Sequence, residues 1–498
     1  PGYLEASMNK IDGKPLIPVS AEAKALHQTL QIVDLHSDTL MWQRPLLGQV
    51  RRGHEDLRRL QAGNVALQVF SSVTKTPRGQ NYDGNSGDTD NITPLVIAQL
   101  QPIRTWGSLL QRSLYHGEKL DHAVAASGGT LVKVSDPGSL DALLAARAGA
   151  RPPVGAMLSI EGLQDIEGEL DNLDRLHAAG FRMASLAHFF DNDVAGSMHG
   201  VNKGGLTPLG RQVVRRMEQI GMVVDIAHCS HQCVAEVLAM ARRPVVSSHG
   251  GVQATCKVNR NLTDDEIRGV AKTGGVIGIG YWDGAVCDTD PRATARAMKH
   301  IKDLVGVQYI ALGSDYDGAT TVRFDTSGLV QVTQALLDEK FTPDEIRAVM
   351  GGNALRVLRA GLVPLAQLKP EQTPLLALQA PLVMPLKLLA MLQLVLPTLL
   401  AMPLSSTRAQ WDEGLRTVRQ FNDLLRVLPP VPSGQNSVAG QAVARRSGSP
   451  SRPLSAGPMR QNELPAGRSN QAPGRADVGR YTQFAPARNG RPAPNYQR

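Results

Sequence analysis

The stretch Gln31-Ile-Val-Asp-Leu-His-Ser-Asp38 joins a short β-branched and aliphatic run to a histidine and an aspartate. Seven similar apolar runs follow before residue 313, with helical patterns between them. The eight runs are Gln31–Leu35, Val65–Ser71, Val154–Ile160, Met183–Ala187, Val223–Ala227, Val245–Ser248, Gly275–Ile279 and Tyr309–Leu312. Nearly continuous apolar runs are typical of parallel strands covered on both faces. The pattern predicts an α/β fold, a (β/α)8 TIM barrel; an open doubly wound sheet is the alternative, although no Gly-x-Gly-x-x-Gly motif follows a strand.

Two segments between the strand runs carry the signals of helix N-termini. In Thr263-Asp-Asp-Glu266 a threonine precedes a glutamate by three residues, which is the arrangement of a capping box. Thr342-Pro-Asp-Glu345 repeats it, with a proline suited to the first turn of a helix. We therefore expect a barrel domain over residues 31–362, preceded by an N-terminal segment, residues 1–30.

The composition changes after Val363, and two appended regions are predicted. Residues 363–430 form an apolar and amphipathic helical extension, in which the uncharged stretch Leu388–Thr407 has the length of a membrane span. Prolines interrupt that stretch, which favours a packed or dimer-forming helix and hence a homodimer. Residues 431–498 are rich in Gly, Pro, Ser and Arg and predict a disordered basic tail. Membrane association, through the extension or through an anchor upstream of Pro1, stays open, as does the choice between a cytoplasmic and a cell-envelope location.

The net charge of the chain does not indicate a nucleic-acid partner. The formal charge is +8, and the tail after residue 430 accounts for all of it with ten arginines and two acidic residues. The remaining residues are neutral in sum, and aromatic residues make up only 4% of the chain. We expect no specific binding of nucleic acid.

Four cysteines are present, at positions 229, 233, 256 and 287, without a Cys-x-x-Cys pair. Their density is far below that of small disulfide-stabilised secreted domains. Buried thiols are therefore the expectation for all four, in preference to a disulfide or a metal site.

Acidic residues and histidines stand where the predicted strands end. Seven such residues follow six strands, namely His36, Asp38, Glu161, His188, His228, His249 and Asp315. A single histidine after a strand is usually a hydrogen-bonded packing residue. In a barrel, however, all strand ends converge on one mouth, where active sites are built. Seven polar residues at six equivalent positions therefore predict one common site.

The residue types in this set suit divalent metal ions. Residues two apart in extended backbone point to the same side, so His36 and Asp38 can bind one ion. Imidazole with carboxylate favours Zn²⁺, with Mn²⁺ or Co²⁺ possible. His228 and His249 could hold a second ion, and Glu161 could bridge the two. Two such ions can share a hydroxide and polarise a carbonyl, which predicts hydrolysis, most simply of an amide.

The sequence resembles the membrane (renal) dipeptidase family, peptidase family M19, of the metal-dependent amidohydrolase-like barrels. The resemblance spans roughly Val33 to Leu358. The matching stretches are Asp34-Leu-His-Ser-Asp38, Ile160-Glu-Gly162, Leu186-Ala-His188, His228-Cys-Ser230, Ser248-His-Gly250, Asn259-Arg-Asn261, Gly313-Ser-Asp-Tyr-Asp-Gly318 and Gly351-Gly-Asn-Ala354.

The resemblance implies a zinc-dependent dipeptidase with two Zn²⁺ ions per chain. His36 and Asp38 would hold one ion, and His228 and His249 the other, with Glu161 as the bridge. His188 would contact the substrate and stabilise the oxyanion. Arg260 would clamp the free carboxylate of the dipeptide, a bidentate task that suits arginine. Asp315 would pass a proton from the bridging water to the leaving amine. Family members often accept a D-residue at the carboxyl side.

Two other functions stay open at this point. One is another two-metal amidohydrolase that acts on cyclic amides or N-acyl amino acids, although such enzymes usually carry His-x-His and a carbamylated lysine. The other is a non-catalytic binding scaffold, which the complete ligand set disfavours.

Several nearby residues have open or minor roles. Asp34 could orient a ligand imidazole or make a structural hydrogen bond, and Asp225 is expected to cap structure. Tyr316 and Asp317 are candidates for the rim of the site. The turn-rich segment Asn81–Asp90 predicts a loop over the barrel mouth or a disordered surface loop. The other histidines are expected on the surface or in packing, namely His27, His54, His116, His122, His177, His231 and His300.

Overall fold

The eight predicted apolar runs all form strands in the computed structural model, which describes residues 2–48, 50–364 and residue 367. The strands are β1 Lys10–Ile11, β2 Ile32–Ser37, β3 Val65–Val73, β4 Leu131–Lys133, β5 Val154–Glu161, β6 Phe181–Ser185, β7 Val223–Asp225, β8 Val246–Ser247, β9 Val276–Ile279, β10 Ile310–Leu312 and β11 Thr321–Val322. The barrel strands are almost completely buried, as continuous apolar runs require.

The strands close into a parallel barrel. The hydrogen-bonded order is β3-β2-β10-β9-β8-β7-β6-β5, and β3 also pairs with β5, which closes the ring of eight. Every one of these pairings is parallel. The predicted (β/α)8 barrel is therefore confirmed.

Three short strands lie outside the ring. β4 adds to the edge of β5, and β1 pairs in parallel with β11. The pairing of β1 with β11 attaches an N-terminal arm, which we define as residues 2–12, to the loop that follows β10. Ala319 donates its backbone N–H to Asn9 Oδ1 at 2.9 Å and strengthens this attachment.

Helices separate the strands and cover the barrel. Their bounds are α1 Gly2–Met8, α2 Ala21–Gln28, α3 Leu57–Ala62, α4 Ile92–Ala98, α5 Leu109–Ala126, α6 Pro137–Ala146, α7 Leu170–Ala178, α8 Pro208–Ile220, α9 His231–Met240, α10 Asp264–Lys272, α11 Asp283–Val286, α12 Pro291–Val305, α13 Val330–Asp338, α14 Pro343–Arg347 and α15 Asn353–Gly361. Both predicted capping boxes are confirmed, with Thr263 before α10 and Thr342 before α14.

The cysteine prediction is right for two residues and wrong for the other two. Cys229 and Cys233 are buried free thiols. Cys256 and Cys287 form a disulfide, although they are 31 residues apart. The loops that follow the neighbouring strands β8 and β9 bring them together, a tertiary contact that no local spacing in the sequence announces.

None of the described helices is both long and apolar enough to cross a membrane. The predicted helical extension after residue 363 and the predicted basic tail lie outside the described residues, apart from Val363, Pro364 and Gln367.

Candidate metal centre and active site

The seven predicted strand-end residues all lie at the carboxyl end of the barrel. His36 is the second-last residue of β2 and Glu161 is the last residue of β5. The others stand one to three residues beyond their strands. Six of the seven side chains are buried, and Asp315 is partly exposed. The barrel therefore gathers the predicted set into one buried site with Asp315 towards solvent.

The Glu161 carboxylate is the centre of the site, because four imidazoles converge on it. Its Oε1 atom lies 3.0 Å from His228 Nε2, 3.3 Å from His249 Nε2 and 3.5 Å from His36 Nε2. Its Oε2 atom lies 3.4 Å from His188 Nε2. One carboxylate thus faces the same ring nitrogen of four histidines contributed by four different strands.

A second carboxylate group lies on the β2 side of the site. His36 Nε2 is 3.4 Å from Asp38 Oδ1, and ligand atoms of His36, Asp38 and Asp315 all lie within 4.8 Å of one another. The same holds for His36, Glu161 and His249, and for Glu161, His188 and His228. His228 and His249 also approach each other, with 3.0 Å between their Nε2 atoms.

These side chains fit divalent metal ions as a donor set. His36 Nε2, Asp38 Oδ1 and Glu161 Oε2 are buried without a hydrogen-bond partner. Buried carboxylates are costly unless they are paired or coordinate a metal. Two imidazole Nε2 atoms at 3.0 Å present lone pairs to each other unless a proton or a cation lies between them. Neutral imidazoles and carboxylates are ligands that Zn²⁺ accepts.

The pKa values of these side chains are shifted because charged groups are costly to bury at this site. Burial raises the pKa of Glu161 and of Asp38 well above the usual range, and the neighbouring acids Asp38 and Asp317 respectively add to the effect. Burial lowers the pKa of His188, His228 and His249 well below the usual range. The imidazoles are therefore neutral at physiological pH, which is the state in which they bind metals.

Two aspartates beneath the site fix the backbone of the ligands. Asp34 Oδ1 accepts the N–H of His36 at 3.1 Å and that of Ser314 at 3.0 Å, so it ties β2 to the residues after β10. Asp225 Oδ1 accepts the N–H of Ala227 and that of Ser248, both at 2.9 Å, and ties β7 to β8. Asp34 therefore makes the structural hydrogen bonds that were one of its two predicted roles, and Asp225 caps structure as expected.

His228 and Asp315 occupy the left-handed backbone region, with φ of 65° and 56°. This region is uncommon for residues other than glycine and persists where the surrounding structure enforces it. Two residues after His228, the Ser230 hydroxyl oxygen caps α9 by accepting the N–H of Cys233 at 3.0 Å. The turn aims the imidazole at Glu161 immediately before the helix begins.

Arg260 lies beside the two histidines from β7 and β8. Its Nη2 atom donates towards His228 Nε2 at 3.1 Å, and its Nη1 atom donates to the carbonyl oxygen of His249 at 3.4 Å. The guanidinium also stands over the Trp282 ring, 5.0 Å from its centre. These partners are uncharged, although the side chain is only 5% exposed.

Tyr316 and Asp317 are not rim residues, because both are fully buried. Asp317 belongs to a buried ion-pair network. Its carboxylate pairs with Arg44 and accepts the hydroxyl of Thr39 at 2.7 Å. Arg44 Nε pairs in turn with Glu5 Oε1 at 2.6 Å, so the N-terminal arm is linked to this network through Arg44.

An aromatic wall, defined as Tyr82, Phe189, His199 and Trp282, was not predicted. His199 stacks on Phe189 and Tyr82 with ring centres 4.6 Å and 5.0 Å away, and it meets the His228 ring at 5.3 Å. Tyr82 belongs to the predicted mouth segment Asn81–Asp90, which packs on the loop after β6 through Asn85 N–H and the His199 carbonyl, 2.8 Å apart. Trp282 lies three residues after β9, so its position at a strand end is the signal in the sequence that indicates it.

Comparisons with known proteins indicate the family of the chain. The model of the membrane dipeptidase family, peptidase family M19, matches residues 20–365. The dipeptidase aclJ of Aspergillus oryzae is 34% identical over 351 residues, 66% of this chain and 77% of that protein. A model of the trehalose monomycolate transport factor TtfA matches residues 391–498, which lie outside the described residues.

Solved structures show the same fold. The probable dipeptidase PvdM from Pseudomonas aeruginosa matches with a TM-score of 0.56 and 18% identity, covering 68% of this chain and 98% of that one. A metallopeptidase from Rhodobacter sphaeroides, liganded with a phosphinate mimic of the dipeptide L-Ala-D-Ala, matches with a TM-score of 0.55 and 20% identity, covering 67% and 99%. With the family match over residues 20–365, the chain belongs to the membrane dipeptidase family, peptidase family M19, and is a metallo-dipeptidase.

Proposed function

We propose that the enzyme is a dipeptidase that holds two Zn²⁺ ions per chain and uses Glu161 as their shared ligand. The convergence of the His36, His228 and His249 Nε2 atoms on Glu161 Oε1, with Asp38 Oδ1 beside His36, carries this proposal. A single ion has no need of so many donors around one carboxylate, since zinc sites in enzymes usually take three protein ligands.

In this proposal His36 and Asp38 hold one ion, and His228 and His249 hold the other. The 3.0 Å approach of the last two Nε2 atoms and their shared contact with Glu161 Oε1 support the second set. Bound in pairs, such ions polarise a carbonyl and lower the pKa of water towards neutrality.

The remaining side chains handle the substrate. Arg260 binds the free carboxylate of the dipeptide, because its buried guanidinium makes its direct contacts with a histidine nitrogen, a backbone carbonyl and the Trp282 ring. A planar guanidinium binds a carboxylate in bidentate fashion. A longer peptide would place an amide where this carboxylate belongs, which restricts the enzyme to dipeptides.

His188 and Asp315 are proposed as the groups that assist bond cleavage. His188 carries a neutral imidazole beside Glu161 and is placed to donate a hydrogen bond to the oxyanion of the tetrahedral state. Burial, reinforced by Asp38, raises the pKa of Asp315 to about 7. A carboxyl group with a pKa near the working pH can accept a proton from water and return it to the leaving amine.

Further parts of the proposal concern stereochemistry and assembly. Acceptance of a D-residue at the carboxyl side is proposed, by analogy with the Rhodobacter relative that binds an L-Ala-D-Ala mimic. We also propose a homodimer. Membrane association, through residues 363–430 or an upstream anchor, is a separate proposal. Light scattering and flotation with vesicles test these two points separately.

The central experiment combines metal analysis with a dipeptide panel of L-L, L-D and D-D stereochemistry. We expect about two zinc ions per chain, as the two-ion proposal requires, and we expect Glu161→Gln to abolish cleavage and to retain less metal. The matched control is Glu218→Gln, a buried glutamate on α8 that caps the backbone N–H groups of Arg242 and Arg243. A fully metal-loaded wild type that leaves the whole panel intact would refute the assignment.

A further inference from the structure

The loops that carry Arg260 and Trp282 are joined covalently. Cys256 and Cys287 form a disulfide across the mouth of the barrel, between the loop after β8 and the turn after β9. Cys256 precedes Arg260 by four residues, and Cys287 follows Trp282 by five. The disulfide therefore lies close in sequence to both Arg260 and Trp282, which contact each other where the substrate carboxylate is proposed to bind.

The turn after β9 transmits this constraint because it is a single short helix. Trp282 is the N-cap of α11 and Cys287 is its C-cap. The N–H of Cys287 donates to the Asp283 carbonyl at 2.7 Å, and the N–H of Val286 donates to the Trp282 carbonyl at 3.2 Å. A displacement of Cys287 would consequently move Trp282 with it.

A hydrogen-bonded tie runs parallel to the disulfide. Asn261, next to Arg260, donates from Nδ2 to the carbonyl oxygens of Cys256 and Ala285, both at 2.8 Å. The loop after β8 and α11 are also in tight contact at Gly251, where an added Cβ would lie 1.9 Å from the Ala285 carbonyl oxygen. The contacts between the two loops thus include one amide side chain, one glycine contact, one covalent bond and the backbone hydrogen bond from Gly280 N–H to the Gly250 carbonyl at 2.9 Å.

We propose that the Cys256–Cys287 disulfide is a positioning pair for recognition of the substrate carboxylate, an inference that rests on the proposed role of Arg260. The disulfide holds α11 against the loop after β8, so that the Trp282 ring stays 5.0 Å from the guanidinium. A stacked guanidinium presents its remaining N–H edge in a fixed plane, which bidentate carboxylate binding requires. Affinity for the dipeptide therefore depends on the disulfide being oxidised, whereas the positions of the metal ligands do not depend on it.

The separation from the metal ligands follows from what holds them. His228 and His249 are fixed by strand ends and by Asp225, which bonds the backbone of Ala227 and Ser248. Neither cysteine contributes to that tie. Breaking the disulfide should accordingly leave the metal content unchanged and act on substrate binding.

The disulfide can be broken in the folded enzyme because one of its residues is accessible. Cys287 is exposed, whereas Cys256 is only 1% exposed. A phosphine such as tris(2-carboxyethyl)phosphine is a two-electron reductant that attacks an exposed sulfur of the disulfide. Water then supplies the oxygen of the phosphine oxide and the protons of the two thiols. Reduction of the holoenzyme therefore tests the proposal even if a cysteine variant does not fold.

The experiment measures KM and kcat of the metal-loaded enzyme before and after reduction, together with the double variant C256A/C287A. We expect KM for a dipeptide to rise about tenfold with kcat changed less than about twofold, since misplacing a binding group by 1 Å can cost up to 10²-fold. Metal content measured on the same samples should stay constant. The double variant serves as the control for the reductant, because the phosphine should not change its KM.

A dipeptide amide separates positioning from general loss of structure. Its carboxamide cannot form the charged pair with Arg260, so the preference for the acid over the amide should fall about tenfold on reduction, the same factor as KM. If reduction slows the acid and the amide equally, or changes neither, the positioning role is refuted. Arg260→Ala separates the proposed carboxylate clamp from the proposed role of the disulfide. A raised KM in Arg260→Ala with an unchanged KM after reduction refutes the disulfide inference alone, and an unchanged KM in an active Arg260→Ala enzyme refutes the carboxylate clamp itself.

Discussion

Replacement of Asp315 by asparagine should stabilise the metal-free protein while it removes activity. The pKa of Asp315 is about 7, against an ordinary value of 3.8, because burial and the nearby Asp38 disfavour its charge. A group with a raised folded pKa contributes stability that is complete at pH values below 3.8 and is lost as the pH rises towards 7. Asparagine does not titrate, so the variant escapes this loss.

The magnitude follows from the same two values. Their difference corresponds to ~4 kcal/mol at about 1.4 kcal/mol per pH unit. Because Asp315 is partly exposed and shares its burden with Asp38, we expect roughly half of that, about 2 kcal/mol, in favour of the variant at pH 8. The backbone should accept the change, since asparagine is enriched at positive φ and this residue has φ 56°.

The assay is urea unfolding of metal-stripped wild type and Asp315→Asn protein at pH 4 and pH 8, with the free energy of unfolding extrapolated linearly. Equal free energies at pH 4 and a more stable variant at pH 8 are expected. In metal-loaded protein kcat should fall by about 10²- to 10⁴-fold, the usual contribution of a general acid or base. Identical unfolding curves at pH 8 would refute the raised pKa, and an unchanged kcat would refute the proton-transfer role.

Other outcomes follow from the ion-pair network and from the tail. Glu5→Gln should lower the free energy of unfolding by about 3 kcal/mol, because it leaves Arg44 buried with less compensation; Glu22→Gln, on the surface of α2, is the control. A wild-type melting temperature in Glu5→Gln would contradict the importance of the N-terminal arm. Deletion of residues 431–498 should leave kcat/KM unchanged, and a large loss would show that the tail takes part in catalysis.

The sequence was sufficient for the barrel and for the convergence of the seven candidate residues at one end of it, because both depend on local signals. Continuous apolar runs marked all eight barrel strands, and the histidines and acidic residues at the ends of six of them marked the candidate site. Strand β4 could not be predicted from the sequence, because it has only three residues and lies at the edge of the sheet inside a long helical insertion. Left-handed His228 could not be predicted, since histidine has no preference strong enough to announce positive φ.

Contacts between distant segments were beyond the reach of sequence patterns. The disulfide joins cysteines whose spacing has no recognisable motif. Glu5 meets Arg44 only because β1 pairs with β11 and brings the N-terminal arm to the mouth. Asp317 was a candidate for the rim of the site, yet it is buried and pairs with Arg44 and Thr39. In each case the decisive partner comes from a loop whose path the local sequence does not encode.

The two aspartates beneath the site bear on how the enzyme acquires its metal. Asp34 and Asp225 tie the ligand backbones through N–H groups of the chain itself and without the side-chain atoms of the proposed metal ligands. We therefore expect these backbone ties to persist when the metal is removed, so that uptake need not wait for a folding step. We expect the rate of loading to be set by loss of water from the ion. The ion that fills such a rigid site in the cell is then chosen largely by supply, because binding strength alone would favour copper over zinc.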